Sequence, residues 1–376
     1  MRSKNPVKAA LKRFFESPLQ ESQFSRPLLQ VANLTALRHL RDGYLNEHGP
    51  LRSIQRQDGF YLLHFDDTTV PSAASLDNQG RFNLLWFNLT ESPHTSTLDT
   101  INAMIEEFGG DLSIRLERDG EVLFERDSER KLPVGSTFKL AVLLILVNHI
   151  EAGLAQWTDS MTLKERHLSL PSGTLQDETL GSRWTLEQLA QKMIADSDNT
   201  ATDMLIDHLG RKTVELLSMG NLPFLTTAEF FKLKDPRNAE LLQAWRNSFI
   251  PKRRAILKVL ASRPLPPISL FDNGPIALDV EWFISTHEIC GLLKGLYFHP
   301  SLTHNTGHLD KRDWSRIAYK GGSEPGVLNQ SFLLQDPKGR LSCLSLTWRN
   351  ELGVNRFPLF RLSSLLARYA LEASPK

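Results

Sequence analysis

Apolar and polar residues follow two different periods in the first part of the chain. Through residues 1–47 the apolar residues recur at helical spacing, and Pro18 and Pro27 separate two apolar sets. From Gly49 the period falls to two, which is typical of strands. The strand-like runs are Tyr61–Phe65, Thr69–Leu76 and Phe82–Phe87, with turns at Asp58-Gly59, Asp66-Asp67 and Asn78-Gln79-Gly80. The pattern predicts a small α+β domain over residues 1–90, with two helices followed by an antiparallel meander.

A second unit is predicted over residues 98–376, after a polar linker at 91–97 that contains a proline. It opens with a helix and then a hairpin with Asp119-Gly120 at its turn. Further strands are predicted at Arg316–Lys320, Val327–Leu334 and Leu341–Trp348. Helices are predicted at Leu98–Phe108, Trp184–Ala195, Thr200–Leu209, Thr226–Leu233, Ala239–Trp245, Trp282–Tyr297 and Phe357–Ala373. The simplest assembly is a five-stranded antiparallel sheet covered by the first and last helices, with the middle helices in a second lobe.

The segment Gly135–Val147 places a serine and a lysine three residues apart at the start of an almost unbroken apolar run. In a helix, Ser136 and Lys139 would lie on one face at its N-terminus, and the apolar run predicts that this helix is buried. A lysine among apolar groups can lose its proton near neutral pH and act as a base. The structural alternative is a capping serine with a solvent-directed lysine, and this segment alone favours that alternative.

Two further polar clusters give the Ser–Lys pair a chemical context. They are Ser197-Asp198-Asn199 and Lys320-Gly321-Gly322-Ser323. If the clusters meet, Ser136 is a candidate nucleophile and Lys139 its general base. The Ser197 hydroxyl would then pass a proton towards a leaving group, and the Asn199 amide would hold a substrate carbonyl.

The third cluster would complete an acylation site. Lys320 adds a second cation, which would depress the pKa of Lys139 and bind a substrate carboxylate. Gly322 and the glycine before it would let a substrate backbone run along the strand edge. The backbone amides of Ser136 and Ser323 would form an oxyanion hole, in which one donor is worth roughly 3–4 kcal/mol.

The order Ser-x-x-Lys, Ser-Asp-Asn, Lys-x-Gly resembles the signature of class A β-lactamases and penicillin-binding proteins. The segment Leu170–Gly210 resembles the matching class A segment throughout, and the resemblance covers the chain from about Leu98 onwards. It implies the sheet and helical lobe predicted above. It also implies a covalent acyl-enzyme on Ser136, and we expect neither a metal nor a cofactor.

Two departures from the family pattern concern turnover. Class A enzymes carry a deacylating glutamate in a Glu-x-x-x-Asn setting, which the family spacing places roughly at Leu233. That motif is missing from this stretch, and Glu229 and Glu240 are nearby substitutes, each better interpreted as a surface carboxylate. Gly321 stands where the family has Thr or Ser, which removes a hydroxyl that would bind a β-lactam carboxylate. Both departures argue against efficient β-lactam turnover.

With its N-terminal domain, the chain resembles the β-lactamase-like serine hydrolases of clavulanic acid gene clusters. Those proteins pair a steroid-isomerase-like (NTF2-like) domain with a β-lactamase-like domain. The resemblance implies a serine hydrolase that acts on an ester or amide, with weak or no β-lactamase activity. The alternatives are a true β-lactamase and a β-lactam-binding protein that acylates without turnover.

Net charge, the N-terminal sequence and the two cysteines limit the expected binding partners and cellular compartment. A net charge of +1 gives no basic excess for nucleic acid, and we expect no membrane span. The resemblance implies a small-molecule ester, amide or β-lactam as the partner. The N-terminus lacks the apolar core of a signal peptide. We therefore expect a cytoplasmic protein if Met1 is native, and a periplasmic or secreted one if a signal has been removed. Cys290 and Cys343 are interpreted as free buried thiols, with a single bridge as the alternative.

Overall fold

The computed structural model describes residues 5–57, 60–66, 68–87, 97–217, 220–309, 311–354 and 356–373. The chain divides into two compact units, Met1–Thr95 and Ser96–Lys376. Three sequence predictions lie outside the described residues: the Asp58-Gly59 turn, the second residue of the Asp66-Asp67 turn, and residues 91–96 of the linker. Within the described ranges, no helix is long and apolar enough to cross a membrane.

The first unit contains three α-helices and a four-stranded antiparallel sheet among its described residues, with strand order β1-β2-β3-β4. The elements are α1 Pro6–Glu16, α2 Arg26–Val31, α3 Leu34–His48, β1 Ser53–Gln57, β2 Phe60–His64, β3 Thr69–Leu76 and β4 Phe82–Phe87. The sequence predicted two helices here and the structure has three, because the second apolar set is divided at Asn33 into α2 and α3. The Asn33 side chain accepts from the Ala36 backbone N–H at 2.9 Å and so caps α3.

The second unit contains one five-stranded sheet, two short two-stranded sheets and the remaining helices among its described residues. The elements are α4 Leu98–Ile105, β5 Asp111–Arg118, β6 Glu121–Arg126, β7 Leu132–Pro133, α5 Lys139–Glu151, β8 Ser160–Thr162, β9 Arg183–Thr185, α6 Leu186–Ala195, α7 Asn199–Leu209, α8 Arg211–Leu217, α9 Thr227–Lys234, α10 Ala239–Arg246, α11 Ile250–Ala261, β10 Phe283–Ile284, α12 Thr286–Gly295, β11 Arg316–Glu324, β12 Val327–Gln335, β13 Leu341–Arg349 and α13 Arg356–Glu372.

The predicted five-stranded antiparallel sheet is confirmed, with strand order β11-β12-β13-β5-β6. The β5–β6 turn has left-handed backbone at Asp119 (φ 50°) and Gly120 (φ 88°), as a tight hairpin requires. Apolar residues of α4 and α13 pack together over one face of the sheet, as predicted. On the other face a larger core surrounds α5, and it is contributed mainly by the helical lobe. Strand β11 is at the edge of the sheet, so one side of its backbone is not paired with another strand of the described chain.

Several element boundaries differ from the predicted ones. Helix α6 begins at Leu186 with Thr185 as its N-cap, as predicted, but Trp184 belongs to β9 and pairs with Met161. Helix α12 begins only at Thr286, because Ser285 caps it. Strand β11 extends four residues beyond its predicted end at Lys320 and pairs with β12 as far as Glu324. Helices α8 and α11 were not predicted.

The prediction of free thiols is wrong. Cys290 on α12 and Cys343 on β13 form a disulfide, with an S–S distance of 2.11 Å and a Cα–Cα distance of 5.8 Å. Both residues are buried, as expected. The packing of α12 against the sheet brings them together, and their spacing along the chain gives no indication of that packing.

Candidate active site

Ser136 lies on a turn of 3₁₀-helix, Gly135–Phe138, and α5 begins after it at Lys139. The predicted α-helical start is therefore wrong, but residues three apart also share one side of a 3₁₀-helix. The turn is held on both sides. Thr137 Oγ1 donates to Asn329 Oδ1 on β12 at 2.8 Å, and the Phe138 ring stacks on Trp282 with 3.8 Å between centroids.

Two glycines allow this turn and strand β11 to approach each other closely. A Cβ atom on Gly322 would lie 2.7 Å from Ser136 N and 2.0 Å from the Val134 carbonyl oxygen. Gly135 has a φ of 51°, and a Cβ there would lie 2.8 Å from Ser323 N. The backbone amides of Ser136 and Ser323 are thus brought to the same wall of one cavity. Two convergent N–H groups at such a place can bind an oxyanion.

Ser197 joins the other two clusters through a strained backbone. Its φ of 57° is left-handed, a conformation that costs a non-glycine residue roughly 1–2 kcal/mol. This backbone places Ser197 Oγ 3.3 Å from Lys139 Nζ and 3.0 Å from Lys320 Nζ. The next residue, Asp198, caps α7 and accepts two backbone N–H bonds from the loop at Thr174 and Leu175, each 2.8 Å long. Asp198 is therefore a structural anchor for the serine before it.

Lys139 is completely buried, with an exposed fraction of 0%. Its amine donates to Ser197 O at 2.5 Å and to Asn199 Oδ1 at 2.7 Å, while the contact with Ser197 Oγ is longer at 3.3 Å. Burial, followed by the charge of Lys320, lowers the pKa of Lys139 well below its ordinary value, although Asp198 and Asp203 oppose the shift. A neutral amine has two N–H bonds for the two short contacts. Its lone pair remains available for a hydroxyl proton.

Lys320, with an exposed fraction of 3%, reaches the same hydroxyl from β11. Its amine also donates to the carbonyl oxygen of Gly321 at 2.6 Å. Burial lowers the pKa of Lys320 to about 7, so its charge changes near neutral pH. The structure thus brings Ser136, Lys139, Ser197 and Lys320 to one site, as the three motifs predicted.

Asn199 lies at the start of α7 and is also held within this network. Its Oδ1 accepts from Lys139, and its Nδ2 donates to the Leu170 carbonyl oxygen at 2.9 Å. Because an amide nitrogen carries two protons, one N–H remains for the cavity that Asn199 lines. That N–H suits the predicted contact with a substrate carbonyl.

The two carboxylates considered as substitutes for the deacylating glutamate do not line this cavity. Glu229 pairs with Arg211 at 2.7 Å, and Glu240 has a side chain that is 73% exposed. The position expected from family spacing, Leu233, is completely buried in the apolar core. The interpretation of Glu240 as a surface carboxylate agrees with the structure, whereas Glu229 is half-buried.

A hydroxyl lies on the wall beside Asn199. Thr227 Oγ1, at the start of α9, is 2.7 Å from Ser169 Oγ and 3.2 Å from the Asn199 carbonyl oxygen. The buried Asp203 holds this end of α9 by accepting the backbone N–H groups of Thr227 at 2.7 Å and Ala228 at 2.9 Å. Burial raises the pKa of Asp203 to about 7, although these bonds oppose the shift.

The tyrosine before Lys320 fills the space left by Gly321. A Cβ on Gly321 would lie 2.2 Å from the Tyr319 hydroxyl, so even an alanine there would displace the phenol. Burial raises the pKa of Tyr319 to about 12, so the hydroxyl remains protonated near neutral pH. The structure therefore places a donor on the cavity wall close to the position where the family motif would supply the Thr or Ser hydroxyl.

The cavity has a volume of about 430 Å³ and also contains groups that the sequence analysis missed. Glu281 and Glu324 line it, and Lys234 bonds to both carboxylate oxygens of Glu324, at 2.6 and 2.8 Å. Two signals were available. Glu324 follows Lys320 by four residues, which places both on one face of a strand, and Glu281 interrupts an otherwise apolar segment.

Comparison with known proteins places this geometry in context. Residues 97–221 match the profile of the β-lactamase enzyme family. A β-lactamase from Rhodobacter capsulatus is 27% identical over 125 residues, which are 33% of this chain and 42% of the relative. The match thus spans less than half the length of that curated relative.

Solved structures share the architecture over most of the chain. A β-lactamase from Sphaerobacter thermophilus superposes with a TM-score of 0.51 at 20% identity, over 73% of this chain and 96% of that one. An acyl-enzyme complex of a PBP-A mutant with penicillin G superposes with a TM-score of 0.50 at 15% identity, over 74% and 99% of the two chains. At these identities the comparison shows the fold, and the predicted β-lactamase-like fold is confirmed.

Proposed function

We propose that the second unit is a serine hydrolase domain of the serine β-lactamase and penicillin-binding-protein superfamily, and that it hydrolyses an ester or amide through an acyl-Ser136 intermediate. One observation carries the proposal. The Ser197 hydroxyl lies between two buried lysine amines, at 3.3 and 3.0 Å, in the cavity that Ser136 lines. A network of this kind moves protons at neutral pH, because burial makes the neutral form of a lysine accessible.

Each group has a defined part in acylation. Ser136 Oγ attacks the substrate carbonyl, and its proton passes to the lone pair of neutral Lys139. The amides of Ser136 and Ser323 hold the oxyanion, while Asn199 and Gly322 accommodate the substrate along β11. Ser197 then delivers its proton to the leaving group as the scissile bond breaks and receives the proton of Lys139 in its place, which leaves Lys139 neutral again. Lys320 binds an anionic group of the substrate.

The rate at which water removes the acyl group from Ser136 distinguishes a true β-lactamase from a hydrolase of other esters or amides. Neither Glu229 nor Glu240 lines the cavity, so the base that accepts a proton from the attacking water is assigned to Lys139 itself. We therefore propose weak or no β-lactamase turnover, with an acyl-enzyme that persists on β-lactams. The reported penicillin G complex of the PBP-A mutant supports an acyl-enzyme within this fold, for that protein.

Intact-protein mass spectrometry tests the proposal directly. Wild type and Ser136→Ala are each incubated with benzylpenicillin and with a p-nitrophenyl ester. We expect an adduct or steady-state turnover in the wild type alone, with a stoichiometric burst for the β-lactam. Equal turnover in both proteins, or no reaction of the wild type with either compound, contradicts the proposal. Fast cephalosporin hydrolysis would instead identify a true β-lactamase.

The disulfide between Cys290 and Cys343 indicates in which cellular compartment the protein is located. Because bridged cysteines persist mainly in oxidising environments, we propose a periplasmic or secreted location. Thiol labelling of the protein in intact cells of its source, followed by mass spectrometry, checks this proposal. Reduced thiols at both Cys290 and Cys343 in the cell would contradict it.

A further inference from the structure

Two buried carboxyls, Glu281 and Glu324, line the active-site cavity away from Lys139 and Lys320. Lys234 is fully buried on α9 and pairs with Glu324, whose side chain is only 10% exposed. Glu281, with an exposed fraction of 7%, lies beside this pair and accepts the Trp282 backbone N–H at 2.7 Å through Oε2. We call Lys234, Glu281 and Glu324 the acid cluster.

The acid cluster has one carboxyl more than it has cations. The charges that act on Glu281 within the described chain are those of Glu324 and Lys234, and the lysine is already bonded to both oxygens of Glu324. The other oxygen of Glu281, Oε1, is buried and has no hydrogen-bond donor among the described residues. Burial and the Glu324 charge raise the pKa of Glu281 well above its ordinary value, and Glu281 holds a proton in a hydrogen bond to Glu324. A cation from a ligand could replace that proton.

The position of the acid cluster relative to Ser136 follows from the period of β11. Lys320, Gly322 and Glu324 lie on one face of the strand, and Gly322 touches the turn that carries Ser136. Since a strand rises about 3.3 Å per residue, the Cα atoms of Lys320 and Glu324 are roughly 13 Å apart, with the nucleophile opposite the midpoint. A substrate lying along the free edge of β11 would therefore meet a cation at one end and carboxyls at the other.

The wall next to the acid cluster is aromatic. Phe230, Phe231, Phe271 and Trp282 all line the cavity. Lys234 Nζ already lies over the Phe230 ring, 4.2 Å from its centroid. Aromatic faces beside a carboxyl suit an ammonium group, because both attract positive charge while the rings shield it from water.

We propose that the acid cluster binds a primary ammonium group on the acyl part of the substrate, so that the enzyme acts on amino-acyl esters or amides with an anionic group at the other end. The inference rests on the proposed function, because it places the substrate along β11 across Ser136. On binding, the ammonium takes the place of the proton on Glu281, and that proton passes to solvent. The carboxyl pair then carries two negative charges against two cations, Lys234 and the ligand.

Benzylpenicillin and ampicillin provide the test, because they differ only in the ammonium group of the acyl side chain. Their affinities are measured by titration calorimetry with the Ser136→Ala protein, in which acylation is blocked, at a pH where the amine is protonated. We expect ampicillin to bind about ten-fold more tightly or better, the usual size of a charge-assisted hydrogen bond. In Ser136→Ala/Glu281→Gln the two affinities should become nearly equal. A matched control, Ser136→Ala/Glu240→Gln, should keep the preference, since Glu240 is exposed and outside the cavity.

Equal affinities in Ser136→Ala, undetectable ampicillin binding, or a preference that survives Glu281→Gln would overturn the inference. If Glu281→Gln does not fold, calorimetry in two buffers of different ionisation enthalpy provides the second measurement. Ampicillin should release close to one proton from Ser136→Ala and benzylpenicillin none, and equal proton release would overturn the inference. The wild-type mass spectra separate the two hypotheses. An ampicillin preference without any Ser136 adduct would refute the proposed function and support the ammonium site.

Discussion

At one end of the cavity two buried lysines share the hydroxyl of Ser197. At the other end two buried carboxyls lie near a single lysine, Lys234, which bonds to Glu324. At the lysine end the amine of Lys139 has hydrogen-bond acceptors without a ligand, because Ser197 O and Asn199 Oδ1 accept its two short bonds. The acid end keeps an oxygen of Glu281 without a donor. The difference indicates that the lysine end is preorganised for proton transfer, whereas the acid end is complete only with a proton or a cation.

The first prediction tests Lys139 as the general base at the lysine end of the cavity. Lys139→Met removes the general base and should lower the acylation rate by roughly 10²–10⁴-fold. The melting temperature should fall modestly, because Ser197 O and Asn199 Oδ1 lose the amine that donates to them. Adduct formation followed by mass spectrometry measures the rate, and Lys252→Met, at an exposed position on α11, is the control. An unchanged acylation rate in Lys139→Met would rule out this lysine as the base.

The second prediction tests the buried ion pair between Lys234 and Glu324 at the acid end of the cavity. Lys234→Met leaves Glu324 buried without its partner, which should cost about 3–5 kcal/mol of unfolding free energy in urea titrations. Lys234→Met/Glu324→Gln should recover most of that loss, because the unpaired charge is then removed. If the double variant is as unstable as the single one, the ion pair is not the cause of the loss.

The sequence predicted the lysine end much better than the acid end. Ser136, Lys139, Ser197 and Lys320 belong to short motifs in a recognisable order, so a resemblance could assign them together. The acid end has no such motif. Its members come from α9, the segment before β10 and the end of β11, and only the folded chain brings them together. Period-two spacing from Lys320 could have placed Glu324 on the right face, but β11 was predicted to end too early.

The fold shows a similar division. Apolar periodicity predicted the sheet and the helices that cover it, since burial of one face sets that period. The 3₁₀ turn at Ser136 and the left-handed backbone of Ser197 depend on contacts between distant segments. The disulfide was missed for the same reason, because Cys290 and Cys343 are separated by 53 residues.

The third prediction separates backbone strain from chemistry at the lysine end. Ser197→Gly relieves the left-handed strain and should stabilise the protein by about 1 kcal/mol in urea titrations. The same change removes the shared hydroxyl and should slow acylation about ten-fold or more. Ser197→Ala loses the hydroxyl but keeps the strain, so it should be slow without being stabilised. Full activity in Ser197→Gly would show that the hydroxyl carries no proton.

The last prediction concerns the charge of Lys320 and has the smallest expected effect. Acylation needs neutral Lys139, so the rate should rise with pH through the lowered pKa of that residue. It also needs charged Lys320 to bind an anionic group, so the rate should fall again as pH rises through about 7. Arginine stays charged throughout this range, and Lys320→Arg should therefore change the rate only a few-fold at acidic pH while moving the alkaline limb upward. An alkaline limb that stays in place in the pH–rate profile of Lys320→Arg would assign that limb to another group, with Asp203 the nearest candidate because its pKa is also about 7.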